Sequence, residues 1–361
     1  MAIFLFIVGL VLLIVGAEAL VRGASRLAAL LGVSPLVIGL TVVALGTSSP
    51  ELAVSVKSVL SSQSDIAVGN IIGSNIINVL LILGLSALIA PLIVSKQLIR
   101  LDVPIMIAFS VIVLIFALDG VFSRLEGVVL LSGLIAYILF SFFQSRRAGA
   151  EAQVADVGDS ETQRHTKKDW VKNTVMVLFG LVLLVQGSHW LVEGAVSFAR
   201  YIGVSELIIG LTIVAGGTSL PEVVTSVVAA IRGERDIAVG NVVGSNIFNI
   251  MGVLGLAVIV APGGIQVSSA VIGFDIPVMI AVAFACLPLF FTGGEISRPE
   301  GALLLGYYVA YTMYLILAAA HHDALPVFGA VMLYFVLPLT AVTLVIVALR
   351  EIRARRMRRS G

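Results

Sequence analysis

The sequence predicts an all-α polytopic membrane fold: a ten-helix core made of two inverted five-helix repeats, plus an eleventh C-terminal helix. Three observations carry that reading. Of the 361 residues, 59% are hydrophobic and only 12% charged, whereas a soluble domain is about a quarter charged. Apolar runs near the ~20 residues that cross a bilayer recur along the chain. The chain also repeats itself at an offset of 171 residues. Gly9-Leu10-Val11-Leu12-Leu13 returns as Gly180-Leu181-Val182-Leu183-Leu184, and Asp65-Ile66-Ala67-Val68-Gly69-Asn70 as Asp236-Ile237-Ala238-Val239-Gly240-Asn241. An internal repeat governs every later assignment.

Eleven spans are expected at about 2–21, 34–60, 66–90, 98–118, 123–143, 171–199, 205–231, 237–261, 271–292, 299–319 and 325–349. The first apolar run continues as a span and lacks a convincing small-residue cleavage site. Residues 1–143 form the first five-span repeat, 144–169 a charged cytoplasmic linker, 170–320 the second repeat, and 321–361 the extra helix with an Arg-rich tail. Five spans per copy is an odd number, so the second copy enters from the opposite side. Basic residues fix the orientation. With the N-terminus outside, Arg22, Arg26, Lys96, Arg100, the linker bases, Arg232, Arg235, Arg298 and the tail Arg350, Arg353, Arg355, Arg356, Arg358 and Arg359 all face the cytoplasm. Lys57, Arg124 and Arg200 fall outside. Cys286 is the sole cysteine, which excludes disulfides within the chain and cysteine-based metal sites.

The chemistry concentrates in the second and seventh spans. Gly46-Thr47-Ser48-Ser49-Pro50-Glu51 recurs as Gly217-Thr218-Ser219-Leu220-Pro221-Glu222. Proline removes a helical hydrogen bond. A carboxylate at membrane depth costs ~2.5–3.5 kcal/mol on insertion scales and marks a functional site. Broken segments in corresponding halves point to a transporter's substrate site. The third and eighth spans add Gly73-Ser74-Asn75-Ile76-Ile77-Asn78 and Gly244-Ser245-Asn246-Ile247-Phe248-Asn249. Ser74 and Asn78, like Ser245 and Asn249, are four apart and share a helix face. All these donors are oxygens, which suits hard cations such as Ca²⁺ or Na⁺ over zinc or copper. Two ionised Glu side chains repel each other. One Ca²⁺ neutralises both, and so do two Na⁺ or two protons; mutually exclusive occupancy of one site describes an exchanger.

Blander readings accompany several residues. Asn75, Asn78, Asn246 and Asn249 could be interhelical hydrogen-bond glue. Asp65 and Asp236 read as N-caps. Asp102 and Asp275, each before an x-Pro pair, read as helix starts. Gly69, Gly73, Gly240 and Gly244 read as close-packing positions. Glu18 and His189 occupy equivalent interfacial places.

The paired Gly-Thr-Ser-x-Pro-Glu and Gly-Ser-Asn-Ile-x-Asn motifs resemble the α-repeats of the calcium/cation antiporter superfamily, in its sodium/calcium exchanger branch and the bacterial members of that branch. The resemblance covers the ten-helix core. It implies Na⁺-driven Ca²⁺ extrusion by alternating access. Glu51 and Glu222 would bind Ca²⁺ directly and share it with Na⁺, and Thr47 and Thr218 would supply backbone carbonyls. Ser48, Ser219, Ser74 and Ser245 would line Na⁺ sites, and Asn78 would complete the centre. The first and sixth spans would slide as a gate. Gly9, Gly16, Gly23, Gly180, Gly187 and Gly194 would suit that sliding face. Some family members carry Asp where this chain has Asn249, which argues against K⁺ co-transport. The proton-coupled branch writes its motif Gly-Asn-Ala-x-Glu, so Thr-Ser-x-Pro-Glu argues for Na⁺.

The expected substrates are therefore Ca²⁺ and Na⁺, with the lipid bilayer, in a bacterial inner membrane, as surroundings. No cofactor, nucleic acid or obligate protein partner is called for, and no enzymatic activity. The alternative is a H⁺/Ca²⁺ antiporter using the same two Glu; a passive channel or an intramembrane hydrolase fits less well.

Overall fold

A computed structural model describes residues 2–155, 166–291 and 293–341. The middle of the linker, the Arg-rich tail and the end of the eleventh expected span lie outside the described residues.

The architecture is almost wholly helical. In chain order the helices are α1 (Ala2–Leu31), α2 (Pro35–Thr47), α3 (Ser49–Leu60), α4 (Ser64–Ile89), α5 (Leu98–Ala117), α6 (Arg124–Ala155), α7 (Lys167–Tyr201), α8 (206–217), α9 (Leu220–Ile231), α10 (Arg235–Val260), α11 (Val271–Phe291), α12 (Arg298–Ala319) and α13 (Leu325–Ala341). Among the described residues, eight helices are long and apolar enough to cross a membrane, and a ninth span forms if α2 and α3 count as one. The expected spans 34–60 and 205–231 are not single helices. α2 and α3 meet at a 44° bend. α8 and α9 part at Thr218 and Ser219. Both breaks fall just before the Pro-Glu pairs, where proline cannot donate to the carbonyl four residues back.

α4 and α10 are the centre of the molecule, and their apolar windows are 78% and 89% buried. α1 and α7 pack against each other along their length, antiparallel and through glycine. A Cβ at Gly16 would meet the Gly180 carbonyl oxygen at 2.8 Å, and one at Gly187 the Gly9 oxygen at 2.8 Å. No side chain fits there, so the two backbones touch directly.

Contacts between the halves come in exchanged pairs. Gly127 on α6 abuts Gly255 on α10, and Gly301 on α12 abuts Gly84 on α4. Strand β1 (Leu92–Ile93) pairs with β4 (Glu295–Ile296), and β2 (Val121–Phe122) with β3 (Ile265–Gln266). The repeated Ser-Arg-x-Glu-Gly segment has a double use. Ser123 with Glu126, and Ser297 with Glu300, close reciprocal caps that start α6 and α12. The glycine that follows is the close-contact point.

Two expectations about the aspartates need correction. Asp65 and Asp236 are not caps: Gln63 and Glu234 hold those places, and the aspartates sit in the first turns of α4 and α10, where a negative charge complements the helix dipole. Asp102 does not open α5 from a loop. It ends the widened π-helical turn (Leu98–Asp102) with which α5 begins, just before the regular α-helical part at Val103, makes no side-chain cap and is fully buried, accepting a hydrogen bond from Tyr137 Oη on α6 at 2.9 Å. Pro104, two residues on, supplies no backbone donor to the carbonyls of this turn. Val271–Asp275 repeats the feature ahead of Pro277.

Gly240 and Gly244 are close-packing positions as expected, against the backbone of Leu36 and Leu40 on α2. Gly69 and Gly73 are not, for nothing lies within 4 Å of a Cβ built on either.

Candidate functional site

Ser48 and Ser219 sit at the two breaks with nearly the same backbone angles, φ −79°, ψ 5° and φ −85°, ψ 4°. Each is the last residue before a new helix whose first turn holds the acid, Glu51 in α3 and Glu222 in α9. The proline of each motif leaves a carbonyl free, and each is satisfied differently. Gly46 O accepts from Ser49 Oγ within its own break. Gly217 O accepts from Ser188 Oγ of α7 at 2.7 Å. The repeat explains the difference: Leu220 stands where Ser49 does, and Ala17 where Ser188 does.

The two acids are fully or almost fully buried, at 0% and 1% exposure. They lie close enough to interact electrostatically. Each accepts a hydroxyl from the opposite half: Ser219 Oγ donates to Glu51 Oε1 at 3.0 Å, and Ser48 Oγ to Glu222 Oε1 at 3.1 Å. Ser219 Oγ also lies 3.2 Å from Ser74 Oγ on α4. Asn78 Nδ2 donates to Asn246 Oδ1 at 3.0 Å, which joins α4 to α10. Asn75 instead turns back onto its own helix, donating to Ile71 O at 2.7 Å. Asn78 and Asn249 fall in π-helical turns, Asn78–Leu83 and Phe248–Val253, a distortion that recurs at functional sites.

Thus the structure gathers the motif residues into two hydrogen-bonded groups that each cross the halves, Ser48 with Glu222 and Ser219 with Glu51 and Ser74. Thr47 and Thr218 flank them, their hydroxyls donating to Asn241 and Asn70. Asn78, Ser245 and Asn249 are buried on α4 and α10. Several buried polar atoms have no partner: Glu51 Oε2, Glu222 Oε2, Asn78 Oδ1, and both amide atoms of Asn249. Buried polar groups are nearly always hydrogen-bonded, so a set of orphans on two carboxylates and two amides marks a ligand site. Among the described residues no three His, Cys, Asp or Glu side chains cluster as a metal site. The donors here are two acids with amides and hydroxyls, a set for hard cations held in passing.

Asn70 and Asn241 were not singled out by sequence. They lie in the repeated Val-Gly-Asn run, outside the Pro-Glu and Gly-Ser-Asn motifs, and their partners come from distant segments. Glu18 is partly exposed on α1, with 23% of its side chain accessible. It forms ion pairs with Arg22 at 2.5 Å and with Arg232, just beyond α9, at 2.7 Å.

The copies also differ in how the helix before the break is packed. On α2, Gly39 and Val43 are buried against α10. Their counterparts on α8, Gly210 and Val214, are exposed, with nothing within 4 Å of a Cβ on Gly210. α2 is closed onto the core and α8 stands away from it.

Two broken helices, buried carboxylates and unpartnered oxygens in an apolar helical bundle make a candidate cation site. The sequence model of the family described as "Sodium/calcium exchanger protein" matches residues 1–143 and 172–317. The chain belongs to that family; it is an integral membrane protein of a transporter family and not an enzyme. It is 40% identical over 84% of its length to a putative antiporter, CaxA, of Alkalimonas amylolytica, covering 95% of that protein. It is 38% identical over 85% of its length to the inner membrane protein YrbG of Escherichia coli, covering 94% of it. It is 35% identical over 86% of its length to the sodium/calcium exchanger MaX1 of Methanosarcina acetivorans, covering 97% of it. Among solved structures, the sodium-calcium exchanger NCX_Mj soaked with Na⁺ and Sr²⁺ matches with a TM-score of 0.73 and 32% identity, over 88% of this chain and 97% of that one.

Proposed function

We propose that this chain is a secondary active antiporter that exchanges Na⁺ for Ca²⁺ by alternating access. The observation that carries the reading is the group of orphaned oxygens on Glu51, Glu222, Asn78 and Asn249 between two broken helices. Glu51 and Glu222 are the direct cation ligands. Backbone carbonyls of Thr47 and Thr218, the hydroxyls of Ser48, Ser74, Ser219 and Ser245, and the amides of Asn78 and Asn249 complete the shell. Empty, the cluster holds two mutually repelling carboxylates in a low-dielectric interior. One Ca²⁺ or two Na⁺ cancel that charge, and competition for the same oxygens couples the two gradients.

The architecture assigned to this activity is two inverted five-helix repeats, residues 1–143 and 170–320, joined by a cytoplasmic linker and followed by the extra helix and tail. The exchanged contact pairs support it, because equivalent residues make equivalent contacts with the halves swapped. The contrast between closed α2 and open α8 supports alternating access: two copies of one sequence occupy opposite states. The N-terminus is assigned to the outside and the linker and tail to the cytoplasm, from the placement of basic residues. The bacterial inner membrane is the assigned location, and the match to YrbG supports it.

The test is Ca²⁺ uptake into proteoliposomes loaded with Na⁺ and diluted into Na⁺-free buffer, with pH and voltage clamped. Uptake that requires internal Na⁺ is expected. Uptake indifferent to Na⁺ and driven by an imposed pH gradient overturns the reading in favour of H⁺/Ca²⁺ antiport.

A further inference from the structure

Two asparagines outside the cation shell bind the broken helices to each other crosswise. Asn70 on α4 donates from Nδ2 to Ser55 Oγ at 2.9 Å and to Glu51 O at 3.2 Å, both on α3. Its Oδ1 accepts from Thr218 Oγ1 at 3.2 Å, at the opposite break. Asn241 on α10 does the same with the halves exchanged. Its Nδ2 donates to Ser226 Oγ at 2.9 Å and to Glu222 O at 3.4 Å on α9, and its Oδ1 accepts from Thr47 Oγ1 at 3.0 Å.

The amide is suited to this. Its nitrogen can only donate and its oxygen only accepts, so a carbonyl on one side and a hydroxyl on the other fix its orientation. Each asparagine thereby ties the helix start that carries one carboxylate to the residue just before the other break. Neither acid can shift without pulling on the threonine of the other half. Aspartate would lose both donors, and glutamine would not reach the same partners.

We propose that Asn70 and Asn241 are positioning residues that couple the two broken helices, setting cation affinity through Thr218 and Thr47 respectively. The inference rests on the exchange reading, and it makes a pairing prediction that a merely structural role does not. Asn70 is energetically coupled to Thr218 and not to Thr47; Asn241 is coupled to Thr47 and not to Thr218.

The experiment is a set of double-mutant cycles on the purified full-length protein, read as Ca²⁺ affinity by calorimetry, with the thermal midpoint of the Ca²⁺-free protein measured alongside. Asn70→Ala and Thr218→Val each weaken Ca²⁺ binding about tenfold, and the double variant is no weaker than the worse single one. Asn70→Ala with Thr47→Val is additive, and Asn241→Ala shows the reverse pairing. Additive effects in the bonded pairs, equal coupling to both threonines, or variants that lower the midpoint while leaving affinity unchanged each overturn the proposal. Should Asn70→Ala fail to fold, the threonines carry the test: Thr218→Val loses affinity about tenfold while Thr218→Ser, which keeps the donor, loses less than about threefold, and equal losses overturn it. Wild-type protein that binds neither Ca²⁺ nor Na⁺ removes the exchange reading and this inference together. Wild-type binding with additive variants removes this inference alone.

Discussion

Ser219 of the second half donates its hydroxyl to Glu51 of the first at 3.0 Å, although 168 residues separate them. The contact has a twin in Ser48 and Glu222. Each carboxylate is thus held by one half and oriented by the other, and each keeps a second oxygen without a partner.

That arrangement makes the acids the least replaceable residues. Glu51→Gln and Glu222→Gln keep the volume and the hydroxyl contact but remove a charge. Exchange in proteoliposomes should fall by on the order of 100-fold or more in either variant, since one lost charge beside a divalent cation costs several kcal/mol. Wild-type flux in either one would sink the site assignment.

The α1–α7 crossing tolerates no side chain. Gly16→Ala would set a Cβ 2.8 Å from the Gly180 oxygen and 2.9 Å from Leu183 Cβ. Overpacking of this kind costs ~1–3 kcal/mol, so the thermal midpoint in detergent should drop and exchange should slow. Gly69→Ala is the control. It meets nothing within 4 Å, and in a helix it should be neutral or slightly stabilising.

Ser188→Ala strips Gly217 O of its hydroxyl partner. An unsatisfied buried carbonyl costs ~1–3 kcal/mol, and the loss should appear as a lowered midpoint. Ala17→Ser, at the equivalent place in the first half, should not compensate, because Gly46 O is already taken by Ser49.

The Glu18–Arg232 ion pair joins α1 to the end of α9, with Arg232 about half exposed at 51%. Surface pairs contribute under ~1 kcal/mol. Glu18→Gln should therefore leave the midpoint within a few degrees of wild type, and the small difference should vanish in high salt. A larger, salt-independent loss would mean that the pair is shielded from solvent.

The repeat, the helical class and the two Pro-Glu breaks are local properties. Helices that cross a bilayer must be apolar for ~20 residues, and proline disrupts a helix wherever it stands, so composition and spacing determined them without reference to any contact. The motif residues around the acids were legible for the same reason: a buried charge is too costly to sit in such a segment by accident. Only the tertiary structure decided the partners. That Ser219 turns to Glu51 and not to Glu222, that Asn70 reaches Thr218, and that Ser188 covers the carbonyl Pro221 leaves free depend on how distant helices cross. Asp102 shows the limit clearly. Its proline neighbour read as a helix start, but Tyr137, 35 residues on, donates to its Oδ1 at the end of a π turn. The same holds for α2 and α8, which share the Gly-Leu-Thr run: Gly39 is packed against α10 while Gly210 is exposed, a difference that appears only when the helices are assembled.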